Sequence, residues 1–383
     1  MRFGLFQMPE HYPWDNMHVS WKRDMEDIVF VENLGFHEAW IGEHHTGYYE
    51  NVPAPDIVIA TVATMTKRIL LGTGTMNLPY HSDPFLLAER MAFLDNIIEG
   101  RLIYGFGGGA LPDDQKLFNL TREEIRPRIN ESIEVIRQLL TTREPVTWNG
   151  KFSKGENRKL MIGPYMGKAH FGMAGLTSLV TYDYCGKHGW DALSVHVVPP
   201  TYKNNKVVPS LRDQGMAMEN AAKAAGRDPL EARRNWKVVR EVYVHPDGRK
   251  AALDEIRKGV NNSYFGYTTK LFGALMKQDS NEPEENIDLE YMADNVQWIV
   301  GNPQECVDAI HKVYEAVGGF GTLMINNRDW VQRDKKLRSL EMFARYVMPR
   351  VEGLEVGERE QRYLGRDFPA PLPREHGGPG EQQ

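Results

Sequence analysis

Short apolar segments alternate with amphipathic segments along most of this 383-residue chain. The apolar segments have the length and the bulky content of buried strands, whereas the segments between them repeat apolar residues near helical spacing. This alternation is typical of βαβ units, which pair their strands in parallel. The eight predicted strands cover residues 2–7, 36–41, 68–76, 101–106, 168–173, 191–195, 236–244 and 322–325. Eight strands with helices between them predict an α/β fold, a (β/α)8 barrel over residues 1–350.

Three stretches depart from the barrel rhythm. Asn149-Gly150 lies between two short strand-like runs and predicts a hairpin turn. Residues 261–295 are polar and dotted with Met and Phe, so we expect an insertion over the C-terminal mouth of the barrel. Residues 351–383 are charged and rich in Pro and Gly, which predicts an extended or disordered tail.

Composition narrows the class of protein. The formal net charge is -6, with acidic and basic residues interspersed, and a nucleic-acid surface needs a concentrated basic patch, so no nucleic-acid partner is expected. Cys185 and Cys306 are the only cysteines, lack metal-ligand spacing and fit a reducing cytoplasm. No signal segment opens the chain, and no run of about 18 uncharged apolar residues predicts a membrane span. A cytoplasmic enzyme is the leading class.

Two adjacent histidines follow the second predicted strand in the run Glu43-His44-His45. The C-terminal ends of barrel strands are where chemistry is placed, and an imidazole titrates near neutral pH. Adjacent side chains on an extended backbone point to opposite faces and no further ligands are at hand, so no metal site is expected. Two interpretations stay open: one imidazole aimed into a catalytic cavity, or two satisfied polar residues at a strand end.

Three loops contain glycine, and two of them also carry small hydroxyl groups. Gly72-Thr73-Gly74-Thr75 and Gly105–Gly109 follow predicted strands and leave room for a planar ligand or a phosphate, although either could be a tight turn. Ala110 replaces the last glycine of a GxGxxG motif and no clear helix opens after it, which disfavours a Rossmann site. The loop at 175–181 carries Ser178 and Thr181 at a helix N-terminus, which predicts either an anion site or ordinary N-capping.

The Glu43-His44-His45 run, combined with the Asp-x-x-x-x-Gly-Arg segment at 95–101, resembles the bacterial luciferase-like flavin-dependent monooxygenases. This family includes luciferase α subunits and limonene monooxygenase-like proteins, and the resemblance covers about residues 1–350. Further matching segments are 1–6, 34–45, 69–79, 94–101, 178–189, 300–306, 343–349, and Arg128 with Glu134.

The resemblance implies a (β/α)8 barrel, usually a homodimer, that binds FMN at the C-terminal mouth. Gly74 and Thr75 would hold the flavin ring, often through a non-prolyl cis peptide, and Gly107 would lie by its reactive C4a. Ser178, Thr181 and Arg128 would take the phosphate, and His44 would be the catalytic imidazole. This chain has Gly108 where luciferase α has a basic residue, so the phosphate must obtain positive charge elsewhere.

The function implied is a two-component FMN-dependent monooxygenase, in which a separate reductase supplies reduced FMN because no NAD(P)H-binding domain is evident. With O2 it would oxygenate a small apolar or heteroaromatic substrate through a C4a-peroxyflavin, with His44 as acid and base. Two alternatives remain: a deazaflavin-dependent oxidoreductase on the same fold, and a non-catalytic flavin-binding protein. The identity of the substrate lies in loops at 47–55 and 261–295, whose sequence has no readable code.

Overall fold

Eight parallel strands close into a barrel in the computed structural model, which describes residues 1–8, 10–47, 49–195, 201–203, 206–269, 282–295, 297–354 and 356. The barrel strands are β1 Arg2–Gln7, β2 Glu38–Ile41, β3 Leu70–Thr73, β4 Leu102–Gly107, β5 His170–Gly175, β6 Asp191–Ser194, β7 Trp236–Arg240 and β8 Thr322–Asn326. Each strand pairs in parallel with the next, and β8 pairs with β1, which closes the sheet. The predicted (β/α)8 barrel is confirmed.

Thirteen α-helices are seen in the described part of the chain. They are α1 Met17–Asn33, α2 Pro55–Val62, α3 Pro84–Ile97, α4 Pro112–Leu117, α5 Arg122–Thr141, α6 Leu179–His188, α7 Leu211–Ala224, α8 Pro229–Arg234, α9 Arg249–Asn262, α10 Leu289–Asn295, α11 Pro303–Val317, α12 Arg333–Met342 and α13 Met348–Val351. Local sequence explains several starts: Asp83 accepts hydrogen bonds from the N–H groups of Phe85 and Leu86, and Thr121 forms a capping box with Glu124.

The barrel interior is filled from alternate residues of the strands. Phe6, Trp40, Ile103, Leu193, Val239 and Met324 form an apolar cluster there. Nearer the N-terminal end, Lys237 of β7 lies between two carboxylates: its Nζ is 2.9 Å from Glu38 of β2 and 3.0 Å from Asp191 of β6. Side chains thus fill the middle and the N-terminal end of the barrel. Space for a ligand inside the barrel is left at its C-terminal mouth.

Three predicted strand and loop bounds were wrong in detail. The predicted seventh strand at 236–244 ends at Arg240, and Val242–Val244 pairs with Ile299–Gly301 in a separate small parallel sheet. The predicted third strand breaks after β3, and Met76–Asn77 pairs with the end of β4. The hairpin at Asn149-Gly150 is confirmed, with paired strands Val146–Asn149 and Lys154–Arg158. Its loop is longer than predicted because Asn149 pairs with Lys154.

The sequence prediction missed α4 and α8, and the expectation that no helix opens after Ala110 was wrong. Each of these helices has six residues and begins at a proline, which suits the first helical turn. A helix of this length shows less than two turns of periodicity, so its apolar pattern cannot be recognised.

Two predictions fall partly outside the described residues, the insertion at 261–295 because residues 270–281 are not described, and the tail at 351–383. In the insertion at 261–295, Tyr264–Thr268 continues α9 as a turn of π-helix, and α10 lies near the other end. The predicted tail at 351–383 lies outside the described residues except for 351–354 and 356. Among the residues described, none of the helices is long and apolar enough to cross a bilayer.

Candidate active site

A cavity of about 410 Å³ opens at the C-terminal mouth of the barrel. Its wall is built by residues that follow strands β1 to β6, together with one face of α5 and the first turn of α6. This volume lies in the range of clefts that bind small ligands. The cavity is therefore placed where a parallel barrel presents its reactive groups.

Six of the seven predicted site residues line this cavity. They are His44, Gly74, Thr75, Gly107, Ser178 and Thr181. The seventh, Arg128, does not line it. The Arg128 guanidinium lies over the ring of Phe152 at 4.3 Å and pairs with Glu124 at 3.7 Å.

His44 is buried in the cavity wall between two carboxyl groups. Its Nδ1 is 3.3 Å from Oδ2 of Asp114, and its Nε2 is 3.7 Å from Oε2 of Glu50. Burial lowers the pKa of His44, but the hydrogen bond to Asp114 and the charges of Asp114 and Glu50 outweigh it and hold the pKa above its ordinary value. The imidazole is therefore oriented, and its surroundings stabilise the charged form relative to an exposed histidine.

Asp114, from the short helix α4, was missed by the sequence analysis. Besides contacting His44, its carboxylate accepts hydrogen bonds from the backbone N–H and the hydroxyl of Thr46, at 2.6 and 2.5 Å. These donors and His44 outweigh the effect of burial and keep the pKa of Asp114 below its usual range. Asp114 thus orients His44 as a fixed anion, a role that no local signal could reveal at 70 residues' separation.

One rim of the cavity is rich in glycine and has no bulky side chain. The Gly74–Thr75 peptide bond is cis, and the Thr75 hydroxyl donates to Oδ1 of Asn77 at 2.8 Å. A Cβ built on Gly107 would meet Oγ1 of Thr75 at 2.1 Å, so only glycine fits this close approach of β4 to the β3 loop. Two backbone segments therefore form a narrow, flat wall suited to a planar ligand.

Glu43 and His45 support this rim through hydrogen bonds. Glu43 lines the cavity but accepts hydrogen bonds from the Asn77 N–H at 2.6 Å, and it lies 2.9 Å from Nε2 of His45. The His45 ring packs edge-on against Phe118 at 4.7 Å between ring centroids. The two histidines therefore differ in position: His44 faces the cavity, and His45 contacts Glu43 and Phe118 in the loop. Among the described residues, no three metal-ligating side chains come together.

A second part of the wall is basic. Arg122, Ile125, Arg126 and Ile129 of α5 all line the cavity, at the spacing of one helical face. Nη2 of Arg126 donates to Oγ of Ser178 at 3.2 Å, beside the N-terminus of α6. Among the described residues, no carboxylate pairs with Arg126, and burial lowers its pKa.

Arg128 was the predicted phosphate ligand, whereas Arg126 is the arginine that lines the cavity, and helical spacing separates the two. Residues two positions apart lie about 200° apart around a helix, so Arg126 and Arg128 cannot share a face. Together Arg126, Ser178 and the α6 N-terminus offer a cation, a hydroxyl and orphan N–H groups to an anion. This basic group lies in the cavity wall that also includes Gly108.

The fold and the site define a (β/α)8-barrel enzyme with a histidine and a basic group in one cavity. The profile of the family described as luciferase-like monooxygenase matches residues 1–319. The chain therefore belongs to the luciferase-like monooxygenase family, and it is a monooxygenase.

Several similar proteins align with nearly the whole chain. It is 34% identical over 355 residues to 4-hydroxyprotoasukamycin monooxygenase of Streptomyces nodosus subsp. asukaensis, which covers 92% of each chain. It is 30% identical to limonene 1,2-monooxygenase of Rhodococcus erythropolis, which covers 94% of this chain and 89% of the relative. Its fold matches the oxygenating constituent of 3,6-diketocamphane monooxygenase from Pseudomonas putida, solved in complex with FMN, with a TM-score of 0.78 and 25% identity over 91% of this chain and 98% of the other.

Proposed function

We propose that this chain is the oxygenating component of a two-component FMN-dependent monooxygenase that acts on a small apolar or heteroaromatic substrate. The observation that carries the proposal is the joint placement of three features in one cavity: a glycine-rich rim, a cation beside a helix N-terminus that has no carboxylate partner among the described residues, and an imidazole oriented by a carboxylate. A flavin ring, its phosphate and the reacting centre need these three features respectively.

The residues present fit FMN. The flavin ring would lie against Gly74, Thr75 and Gly107. At Gly107 the backbone approaches Thr75 so closely that a Cβ would not fit, which leaves a flat surface for the ring. Arg126, Ser178 and Thr181 would hold the phosphate. When bound in its reduced form, the flavin supplies the electrons that activate O2.

The residues of the chain do the remaining work. Nε2 of His44 can hold or deliver a proton at the cavity wall while Asp114 keeps the ring in position. Apolar side chains in the wall, among them Phe6, Met173 and Val195, exclude water and match an apolar substrate. Limonene, which the name of one relative specifies, is a molecule of that kind.

We assign the supply of reduced flavin to a separate reductase. The glycine-rich loop after β4, which is the candidate nucleotide loop of the sequence, lines the same cavity as His44. We therefore assign this loop to the flavin and not to a nicotinamide cofactor. A second protein would then transfer electrons from the nicotinamide cofactor to the flavin.

FMN binding tests the phosphate assignment. In a titration of oxidised and reduced FMN followed by flavin fluorescence and absorbance, Arg126→Ala is expected to raise the Kd about 10- to 100-fold, because a charge-assisted hydrogen bond contributes about 1.5–3 kcal/mol. Arg128→Ala is the matched control, since it removes the same charge from the same helix outside the cavity. It should leave the Kd within about twofold.

Two results would contradict these assignments in different ways. A larger loss in Arg128→Ala than in Arg126→Ala would overturn the phosphate site. Failure of wild-type protein to bind FMN, with tight binding of a deazaflavin and turnover independent of O2, would favour the deazaflavin-dependent oxidoreductase instead.

We further propose that the chain forms a homodimer through α3. Leu86, Phe93 and Ile97 are 61%, 53% and 52% exposed and lie on one face of this helix. Met161 and Met166, in the segment that follows the hairpin, are also largely exposed. Exposed apolar side chains on one helix face are typical of an interface, and a second copy of the chain offers the same face to it.

Disrupting this face should yield a monomer. Phe93→Glu places a charge at the centre of the surface and is expected to raise the dimer Kd at least about 30-fold, a cost of about 2 kcal/mol. Light scattering after size-exclusion chromatography would then report the 43.8 kDa monomer in place of the dimer. Met216→Glu on the exposed face of α7 is the control and should leave the dimer intact. A wild-type protein that is monomeric at all concentrations would refute the proposal.

A further inference from the structure

Glu50 is a buried carboxyl group that the proposed function does not yet use. It lies in the loop between β2 and α2, lines the cavity, and places Oε2 3.7 Å from Nε2 of His44. Asp114 contacts the other ring nitrogen. The two nitrogens of His44 therefore face two carboxyl groups, and of the two only Glu50 borders the cavity.

The surroundings of Glu50 are crowded with like charge. Arg328 lies 3.7 Å from Glu50, 2.5 Å from Glu10 and 3.3 Å from Glu241, so one guanidinium faces three carboxyl groups. The hydroxyl of Tyr267 donates to Oε2 of Glu50 at 3.4 Å.

Among the described residues, the other charged groups near this site are Arg240, a second buried guanidinium that interacts with Glu241, and Glu43. Glu43 contributes a further negative field at His44, and the Thr268 hydroxyl donates to Glu10 at 2.8 Å. In a buried site, Glu10, Glu50 and Glu241 cannot all ionise around the two guanidinium groups without a third positive charge. Among the described residues, His44 lies close enough to Glu50 to supply it, at 3.7 Å.

We infer that Glu50 and His44 form an acid–base pair that shares one proton. In one state Glu50 is a carboxylic acid and the imidazole is neutral; in the other, the Glu50 O–H bond has broken and a His44 Nε2–H bond has formed, leaving a carboxylate and an imidazolium. The transfer conserves the charge of the pair, so the crowded site admits it at little cost. Glu50 would thus exchange the proton with a bound reactant at the cavity wall, and its role in turnover rests on the proposed function.

Glu50 suits this role better than Asp114 does. Burial raises the pKa of Glu50, whereas the bonds from His44 and Thr46 lower the pKa of Asp114 despite its burial. The separation of 3.7 Å is longer than a hydrogen bond and would close by a small side-chain rotation or through one water, as catalytic pairs do when a ligand binds.

The pairing can be tested on the whole protein without flavin. Histidine labelled with ¹³C and ¹⁵N would give the pKa of His44 by NMR titration, with its signal assigned from its loss in His44→Asn. Glu50→Gln keeps the size of the side chain but removes the negative partner, and it should lower the pKa of His44 by about one unit. Glu241→Gln removes a carboxyl from the same Arg328 without contacting His44 and should change that pKa by less than about 0.3 units.

Activity gives an independent readout. In Glu50→Gln we expect kcat to fall about 10- to 100-fold with little change in KM, and one limb of the pH profile to be lost. Glu50→Asp retains a carboxyl and should restore that limb in part, and it also serves if the glutamine variant does not fold.

The possible failures are distinguishable. An unchanged His44 pKa in Glu50→Gln, or an equal change in Glu241→Gln, would overturn the pair whatever the activity. A lowered His44 pKa together with no FMN-dependent oxygenation by wild-type protein would leave the pair standing and refute the proposed function.

Discussion

Replacing His44 with alanine is expected to lower kcat for oxygenation by about 100- to 10,000-fold, the usual contribution of a positioned acid or base. His44 is 7% exposed, lines the cavity and is held by Asp114, so its proton is delivered from one fixed direction. In the alanine variant, water or buffer would have to deliver the proton instead, and the apolar side chains of the wall hinder their access. Steady-state and single-turnover measurements with reduced FMN, O2 and substrate would show the loss.

The same measurements need a variant that separates chemistry from folding. His44→Asn retains a polar side chain near Asp114 and should bind FMN within about threefold of wild type while losing a similar part of kcat. His45→Asn changes the neighbouring imidazole, which faces Glu43 rather than the cavity, and is expected to cost kcat less than about tenfold. Oxygenation at the wild-type rate in both His44 variants would remove the assigned role.

Replacing Lys237 with alanine should lower the free energy of unfolding by about 3–5 kcal/mol, because it leaves Glu38 and Asp191 buried without their shared cation. Glu38 is 1% exposed and Asp191 is 3% exposed, so solvent cannot replace the ammonium group. Urea unfolding at pH 7 would measure the difference. Lys250→Ala, on the surface of α9, is the control and should change stability by less than about 0.5 kcal/mol.

The pH dependence of this loss has a definite sign. The pKa of Asp191 is lowered to about 2 in the folded chain: burial acts to raise it, and the charge of Lys237 and the bond to His170 outweigh that effect. A depressed carboxyl pKa contributes stability above the unfolded value near 3.8, and this contribution is lost as the pH falls towards 2. The difference between wild type and Lys237→Ala should therefore shrink below about pH 4. A constant difference, or one under about 1 kcal/mol at pH 7, would contradict the assignment.

Local sequence was sufficient for the elements and for the side of the barrel on which the site lies. β1 and α11 have the predicted bounds, and Asp83 and Thr121 begin helices where capping chemistry predicts them. These predictions succeed because strand and helix periodicity and capping depend on residues that are near in sequence. His44 follows β2, so the fold alone brings it to the C-terminal mouth.

Other parts of the site carried a local signal that was open to misreading. Arg122 and Arg126 share a helical face with Ile125 and Ile129, and this spacing indicates that they point the same way. Arg128 matched a family position but lies two residues further on, which turns its side chain away from the cavity and onto Phe152. The packing of α5 against the barrel decides which of its faces lines the cavity. The order of residues along the chain does not determine this packing.

The sequence by itself determined a parallel barrel, a histidine at the end of its second strand and glycines beside it, because these depend on short-range patterns. Tertiary structure alone decided the charge partners: His44 with Asp114 and Glu50, and Lys237 with Glu38 at a separation of 199 residues. Such pairs depend on the register in which eight strands close and on how loops fold over the mouth. A charged side chain can meet many partners in principle, and only the closed barrel brings together those that compensate its burial.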